Sequence, residues 1–286
     1  MCCLFGLIDT RGQYSGAQKS RMLHALATAA ETRGTDASGI AYRGGTRKGL
    51  VIQKSPVPGG KLRIRVPDDV VTVMGHTRMT TQGSAVKNCN NHPFAGKISG
   101  KPFVFAHNGI IYNDAELRER FSLPSTKIET DSYVAVQLLE RQKRLDFDSL
   151  RFVTEQLEGS LTYTVMDDQD SLFIVKGDNP LSLIRFPKTG LFLYASTSDI
   201  LLQTLKMCSQ PPREAVKINI SSGEIVKITG VGIATRSRFN DALLYQFQPR
   251  AAAYCFPHCV PLRPRQVGGY APEIEGYLYE SQEEPK

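Results

Sequence analysis

The chain opens Met1-Cys2-Cys3-Leu4-Phe5-Gly6, which places a thiol on the second residue. Removal of Met1 would leave Cys2 with both a sulfur nucleophile and a free α-amino group. That amine titrates near about 7.7–8.0, far below a lysine, and so can serve as a base close to neutrality. A thiol is mostly protonated at neutral pH, and an adjacent base is one route to its activation. Read structurally, the apolar run Cys-Cys-Leu-Phe-Gly-Leu-Ile is a buried strand.

Five further polar segments carry groups with chemical use. They are Arg33-Gly34-Thr35-Asp36-Ala37-Ser38-Gly39, Gly75-His76-Thr77-Arg78-Met79-Thr80-Thr81-Gln82-Gly83, Asn90-Asn91-His92-Pro93-Phe94, Ala106-His107-Asn108-Gly109-Ile110-Ile111-Tyr112-Asn113 and Glu129-Thr130-Asp131-Ser132. Singly, each has an ordinary structural reading. Arg-Gly and Asn-Gly pairs mark turns, Asp131 before a helix is an N-cap, and Arg78 is a surface cation.

Taken together, in this order and behind Cys2, the segments resemble the glutaminase domain of the class II (N-terminal-nucleophile) glutamine amidotransferases. Glucosamine-6-phosphate synthase and amidophosphoribosyltransferase carry similar motifs. The resemblance covers roughly residues 2–230, including Gly177-Asp178-Asn179-Pro180-Leu181 and Ala195-Ser196-Thr197-Ser198-Asp199. It implies an α+β fold, a four-layer αββα sandwich of two mainly antiparallel sheets.

It also implies the roles. Cys2 attacks the side-chain amide of L-glutamine, with its own α-amine managing the proton. Asn108, through its side-chain amide, and Gly109, through its backbone N–H, match the oxyanion donors. Arg78 is suited to a bidentate grip on the α-carboxylate, Asp131 matches the acceptor for the α-ammonium, and Thr81 and Gln82 line the same pocket. Arg33 matches an arginine beside the nucleophile. The products are ammonia and a γ-glutamyl thioester that water hydrolyses. Departures from the family pattern are Gln82 for histidine, Met79 for a tryptophan of a mobile lid, and Cys3 for glycine.

These groups need a scaffold. Cys3–Ile8, Gly39–Arg43, Val70–Met74 and Phe103–Ala106 read as strands. Ser15–Glu31 reads as an amphipathic helix, with Met22, Leu23, Leu26 and Ala30 along one face. Asp114–Phe121 and Asp131–Arg141 read as helices. The second half reads as strand pairs: Leu161–Asp167 with Ser171–Lys176, Leu181–Phe186 with Leu191–Ala195, and a hairpin of Ala215–Ile220 with Glu224–Ile228. The helix Ser198–Met207 interrupts them. Residues 2–230 are expected to form the catalytic domain. Residues 231–286, with Pro257, Pro261, Pro264 and Pro272 and an acidic end, read as an extension, partly disordered.

A chain of 286 residues, 41% hydrophobic and 22% charged, suits a globular domain. No apolar run approaches the roughly 20 residues of a membrane helix, and the start lacks a secretory signal pattern, so a cytoplasmic protein is expected. Its six scattered cysteines read as free thiols. The +7 balance sets 35 basic against 28 acidic residues, the basic ones spread along the chain with only short clusters; they read as solvated surface, with no nucleic-acid partner expected. Cys255-Phe256-Pro257-His258-Cys259 offers three potential ligands but not the four of a structural zinc site, so neither metal nor cofactor is expected. After residue 230 too little chain remains for a synthase domain, so any ammonia acceptor belongs on another chain. Two other readings are an N-terminal-nucleophile amidohydrolase acting on another γ-glutamyl-type amide and a catalytically silent regulatory subunit.

Overall fold

The computed structural model describes residues 1–44, 49–209 and 214–244. Its strands, in chain order, begin with β1 (Cys3–Asp9), β2 (Ala37–Arg43), β3 (Leu50–Ser55) and β4 (Thr72–Arg78). Then come β5 (Phe94–Ile98), β6 (Lys101–Ile111), β7 (Gly159–Met166), β8 (Leu172–Lys176), β9 (Ser182–Phe186) and β10 (Leu191–Ala195). The last are β11 (Val216–Ile218), β12 (Glu224–Ile228) and β13 (Ala234–Arg238). The helices are α1 (Gly16–Ala29), α2 (Asp114–Arg120), α3 (Tyr133–Glu140), α4 (Phe147–Thr154) and α5 (Ser198–Met207).

Two sheets result, a seven-stranded one in the order β11-β9-β10-β1-β4-β2-β3 and a six-stranded one in the order β13-β12-β8-β7-β6-β5. The strand pairings given by register are antiparallel. The two-residue period of a strand sorts side chains into layers. In β1, Phe5 and Leu7 face the helices, meeting Met22, Leu23 and Leu26 of α1 and Ile200, Leu201 and Leu205 of α5. Leu4 and Ile8 face the other way and meet Val104 and Ala106 of β6 across the space between sheets. On the far side, Phe105, Tyr163 and Val165 pack under Leu117, Leu138 and Leu150 of α2, α3 and α4. The order is helix, sheet, sheet, helix, an α+β sandwich as the resemblance implied. Burying each large apolar side chain contributes about 1.5–3 kcal/mol.

Ser15 starts α1 with a capping box, accepting from Gln18 N while Gln18 Oε1 accepts from Ser15 N. Three differences from the sequence reading follow from tertiary pairing. The supposed hairpin at 215–228 is not one: β11 pairs with β9 in the first sheet, and β12 pairs with β8 and β13 in the second. The Ser221–Gly223 turn carries the chain from one sheet to the other. β13 extends the second sheet past residue 230, while the Cys255–Cys259 cluster and the chain from 245 onward lie outside the described residues. Finally, β6 runs through Asn108 and Gly109, so these groups sit on a rigid strand, not on a loop. Among the described residues no helix is long and apolar enough to cross a membrane.

Candidate active site

The end of β4 lies between the starts of β1 and β2, where Cys3 pairs with Thr77 and Ala37 with Arg78. That register brings Arg78 to the Cys2 end of the sheet. Cys2 is half-buried, and its Sγ lies 3.5 Å from both the backbone nitrogen and the carbonyl oxygen of Met79. Arg33 donates from Nε to the Cys2 carbonyl at 2.9 Å, which holds the entry to β1 in place. Burial pushes the Cys2 thiol above its ordinary pKa; the Met79 contact, the Met1 ammonium and Arg78 oppose that shift, and Asp131 adds to it. A thiol held protonated needs a neighbouring base before it can attack.

Arg78 is 3% exposed. Its Nη1 donates to Asn91 Oδ1 at 2.8 Å, and its Nη2 donates to the carbonyls of Gln82 and Gly83. Burial disfavours the guanidinium charge, while Cys2, Asp36, Asp131 and Glu129 favour it. Both bidentate edges of a guanidinium use Nη2. The Gln82 and Gly83 carbonyls therefore stand where a carboxylate gripped by two N–H bonds would lie.

Asp131 accepts from the Ile111 backbone N–H at 2.6 Å, and the next residue, Ser132, bonds His107 Nδ1 through Oγ at 2.8 Å. Both side chains that could cap α3 are thus engaged by β6. The helix begins at Tyr133 without a side-chain cap, two residues later than the sequence suggests. Asn108 is 1% exposed, and its Nδ2 has no hydrogen-bond partner in the structure. Gly109 has φ +149°, and a Cβ there would come within 1.8 Å of the Ser160 carbonyl oxygen, so only glycine fits. The sheets are joined beneath this point, where His76 Nε2 lies 2.9 Å from the His107 carbonyl.

Cys2, Arg33, Arg78 and Asp131 are thereby brought within contact or electrostatic reach, and Asn108 and Gly109 lie on the strand that holds Asp131. Thr81 and Gln82 are exposed. The Gln82 amide turns away from the guanidinium and donates from Nε2 to the Glu129 carbonyl at 3.1 Å. Two partners of these groups carry no signal of their role in the sequence. Asn91, which engages Arg78, lay inside a quoted motif; Glu129 gathers Lys87, Asn90 and the Ser84 N–H and ties the 82–90 loop to the segment bearing Asp131. Among the described residues no group of three or more His, Cys, Asp or Glu could hold a metal ion.

Residues 76–203 match a glutamine amidotransferase domain. The glutamine–fructose-6-phosphate aminotransferase (isomerizing) of Streptococcus agalactiae serotype III is 32% identical over 160 residues, 53% of this chain and 26% of that protein. The protein of the same name from Bacillus cereus is 32% identical over 159 residues with the same coverage. The chain thus spans 26% of the length of these curated relatives. Among solved structures, glutamine phosphoribosylpyrophosphate amidotransferase from B. subtilis, complexed with ADP and GMP, superposes with a TM-score of 0.63 at 18% identity, covering 84% of this chain and 49% of that one. The structure described as the allosteric regulatory enzyme of purine biosynthesis gives 0.65 at 18% identity with the same coverage. Both structures share the α+β sandwich architecture of this chain. The similarity to glutamine amidotransferases thus lies in residues 76–203 and in the stretch shared with the aminotransferases, and the likeness to the two solved structures lies in the fold.

Proposed function

We propose that this protein hydrolyses the side-chain amide of L-glutamine to glutamate and ammonia through a Cys2 γ-glutamyl thioester. The observation that carries the reading is that two opposite charges, the Arg78 guanidinium and the Asp131 carboxylate, both reach the Cys2 thiol electrostatically. A free α-amino acid head is a zwitterion, and one fixed cation plus one fixed anion is the complement it needs.

With Met1 gone, the new α-amine supplies the base that the buried thiol requires. Sulfur attacks the amide carbon, and negative charge develops on its oxygen. The unpartnered Asn108 Nδ2 and the Gly109 N–H are the donors for that charge. Collapse expels the nitrogen as ammonia, the proton coming from the α-amine, and water cleaves the thioester. Arg78 accepts the α-carboxylate once the Gln82 and Gly83 carbonyls yield. Glutamine thus exchanges with the loop's own backbone at the guanidinium, and the Glu129 contacts set how readily that loop moves. In this reading the ammonia acceptor is a synthase on another chain.

Glutamate release from glutamine by wild-type protein and by Cys2→Ala tests the mechanism. Release is expected to vanish in the variant, and equal activity would sink the thioester. Intact-mass measurement of the active protein should show the chain lacking Met1. γ-Glutamyl amides with blocked α-groups should be poor substrates, and efficient turnover of them would favour the broader amidohydrolase reading.

A further inference from the structure

Segment 177–179 is bonded to the oxyanion strand through a chain of polar contacts that is buried at Asn179 and Thr162 and reaches the surface at Asp178. Asn179, 8% exposed, donates from Nδ2 to the Asn108 carbonyl at 3.1 Å and to Ser160 Oγ at 2.7 Å. Ser160 Oγ donates in turn to Asp178 Oδ2 at 2.6 Å, and Asp178 Oδ1 accepts from the Leu161 N–H at 2.7 Å. The Asn179 carbonyl accepts from Thr162 Oγ1 at 2.7 Å. These contacts span β7 opposite Asn108, Gly109 and Ile110, which pair with Thr162, Leu161 and Ser160.

The peptide unit joining Asn108 to Gly109 has its C=O on Asn108 and its N–H on Gly109. A trans peptide is planar, with C=O and N–H pointing in opposite directions. Fixing the Asn108 oxygen therefore fixes the direction of the Gly109 hydrogen. Glycine, lacking a Cβ, offers little resistance of its own to rotation of that plane. From below, the Ser160 carbonyl closes off the space beside the Gly109 Cα.

We propose that Asn179 is a positioning residue for the oxyanion site. It pins the 108–109 peptide so that the Gly109 N–H points at the developing charge, with Ser160 and Asp178 orienting the Asn179 amide. The inference rests on the glutaminase reading given above. Asn179 touches no reacting atom; it acts through the peptide it holds, and both Nδ2 hydrogens are used, one on each partner. Misaimed donors are costly, since loss of one oxyanion donor typically lowers turnover by about 10²–10³.

The experiment compares wild type, Asn179→Ala, Asn179→Asp and Ser160→Ala for steady-state glutamine hydrolysis, glutamate binding, Cys2 alkylation by iodoacetamide and the NMR amide resonance of Gly109. Asn179→Ala and Asn179→Asp, neither of which donates at that point, are expected to lower kcat roughly 10–100-fold. KM, glutamate affinity and alkylation rate should stay within about twofold. Ser160→Ala, which keeps the donor but loosens it, should fall between them and wild type, and it carries the test if the Asn179 variants do not fold. A single sharp Gly109 amide resonance in wild type should broaden or split in the variants. An unchanged kcat would overturn the proposal, as would parallel losses of alkylation and glutamate binding, which mark general disruption. An inactive wild type would instead sink the glutaminase reading, and the Gly109 resonance would still decide whether Asn179 holds the peptide.

Discussion

Asn108 is the residue where function and stability pull apart most clearly. Its buried Nδ2 lacks a partner, and a buried donor left unpaired costs about 1–3 kcal/mol. Asn108→Leu, which keeps the volume and removes the polar atoms, should lose about 10²–10³ in turnover. Its urea midpoint should hold or rise, whereas a loss above about 2 kcal/mol would show that the amide supports the fold. At this scale the sequence was informative about groups and silent about their partners. Cys2, Arg78, Asp131 and the Asn108-Gly109 pair stand in the segments that carry the family resemblance. The bonds from Asn91 to Arg78 and from Asn179 to Asn108 join residues whose proximity depends on the whole fold. Gln82 shows the converse limit, because its position in the motif did not reveal that its amide turns toward Glu129.

Local patterning recovered most elements and missed those whose pattern is short or shared. The α5 boundaries follow directly from the sequence, and β7–β8 and β9–β10 form the expected hairpins. β3 and β5 carry too weak a local signal to be read; β5 alternates buried and exposed over only five residues and contains Gly96. α4 goes unread as well, although its capping box, Asp146 with Ser149, is a readable start signal. The false hairpin at 221–223 has a turn-forming Gly223 at φ +80°, and a turn signal does not say which sheet receives the next strand. Gly109 gives the element-scale test. Gly109→Ala places Cβ against the Ser160 backbone at 1.8 Å, which no side-chain rotation relieves, and should cost about 3 kcal/mol or more in urea unfolding. Gly12→Ala, at φ +60° with nothing within 4 Å of its Cβ, should cost only about 1–2 kcal/mol of backbone strain. Equal losses would show that the contact with β7 does not matter.

At the scale of the whole molecule, hydrophobic runs suggested sheets covered by helices, but the four-layer order came from the family resemblance. Periodicity does not say which faces meet. Three buried histidines lie where the sheets meet: His76 and His92 stack with ring centroids 4.3 Å apart, and His92 lies equally close to Phe94. Burial lowers His76 to about 3 and also lowers His92 and His107. These groups bind protons more readily in the unfolded chain, so their effect is neutral above about pH 6.5 and destabilising as pH falls below it. Each histidine fully inside that window removes about 1.4 kcal/mol per pH unit. Urea midpoints should therefore decline from pH 7 toward pH 5. His92→Phe, which keeps a ring between His76 and Phe94, should flatten that decline by one proton's share; an unchanged slope would show that His92 titrates normally.

The placement of β1 also governs the order of events at birth. It lies between β4 and β10, so that Phe5 faces Gly75 on one side and Ala195 on the other. A ribosome adding about 5–20 residues per second makes the second neighbour roughly 6–24 s after the first. For that interval the nascent chain's first strand is the open rim of an unfinished sheet. On the proposed mechanism, removal of Met1 within that interval would take place on this half-assembled form, and the topology sets how long the opening lasts.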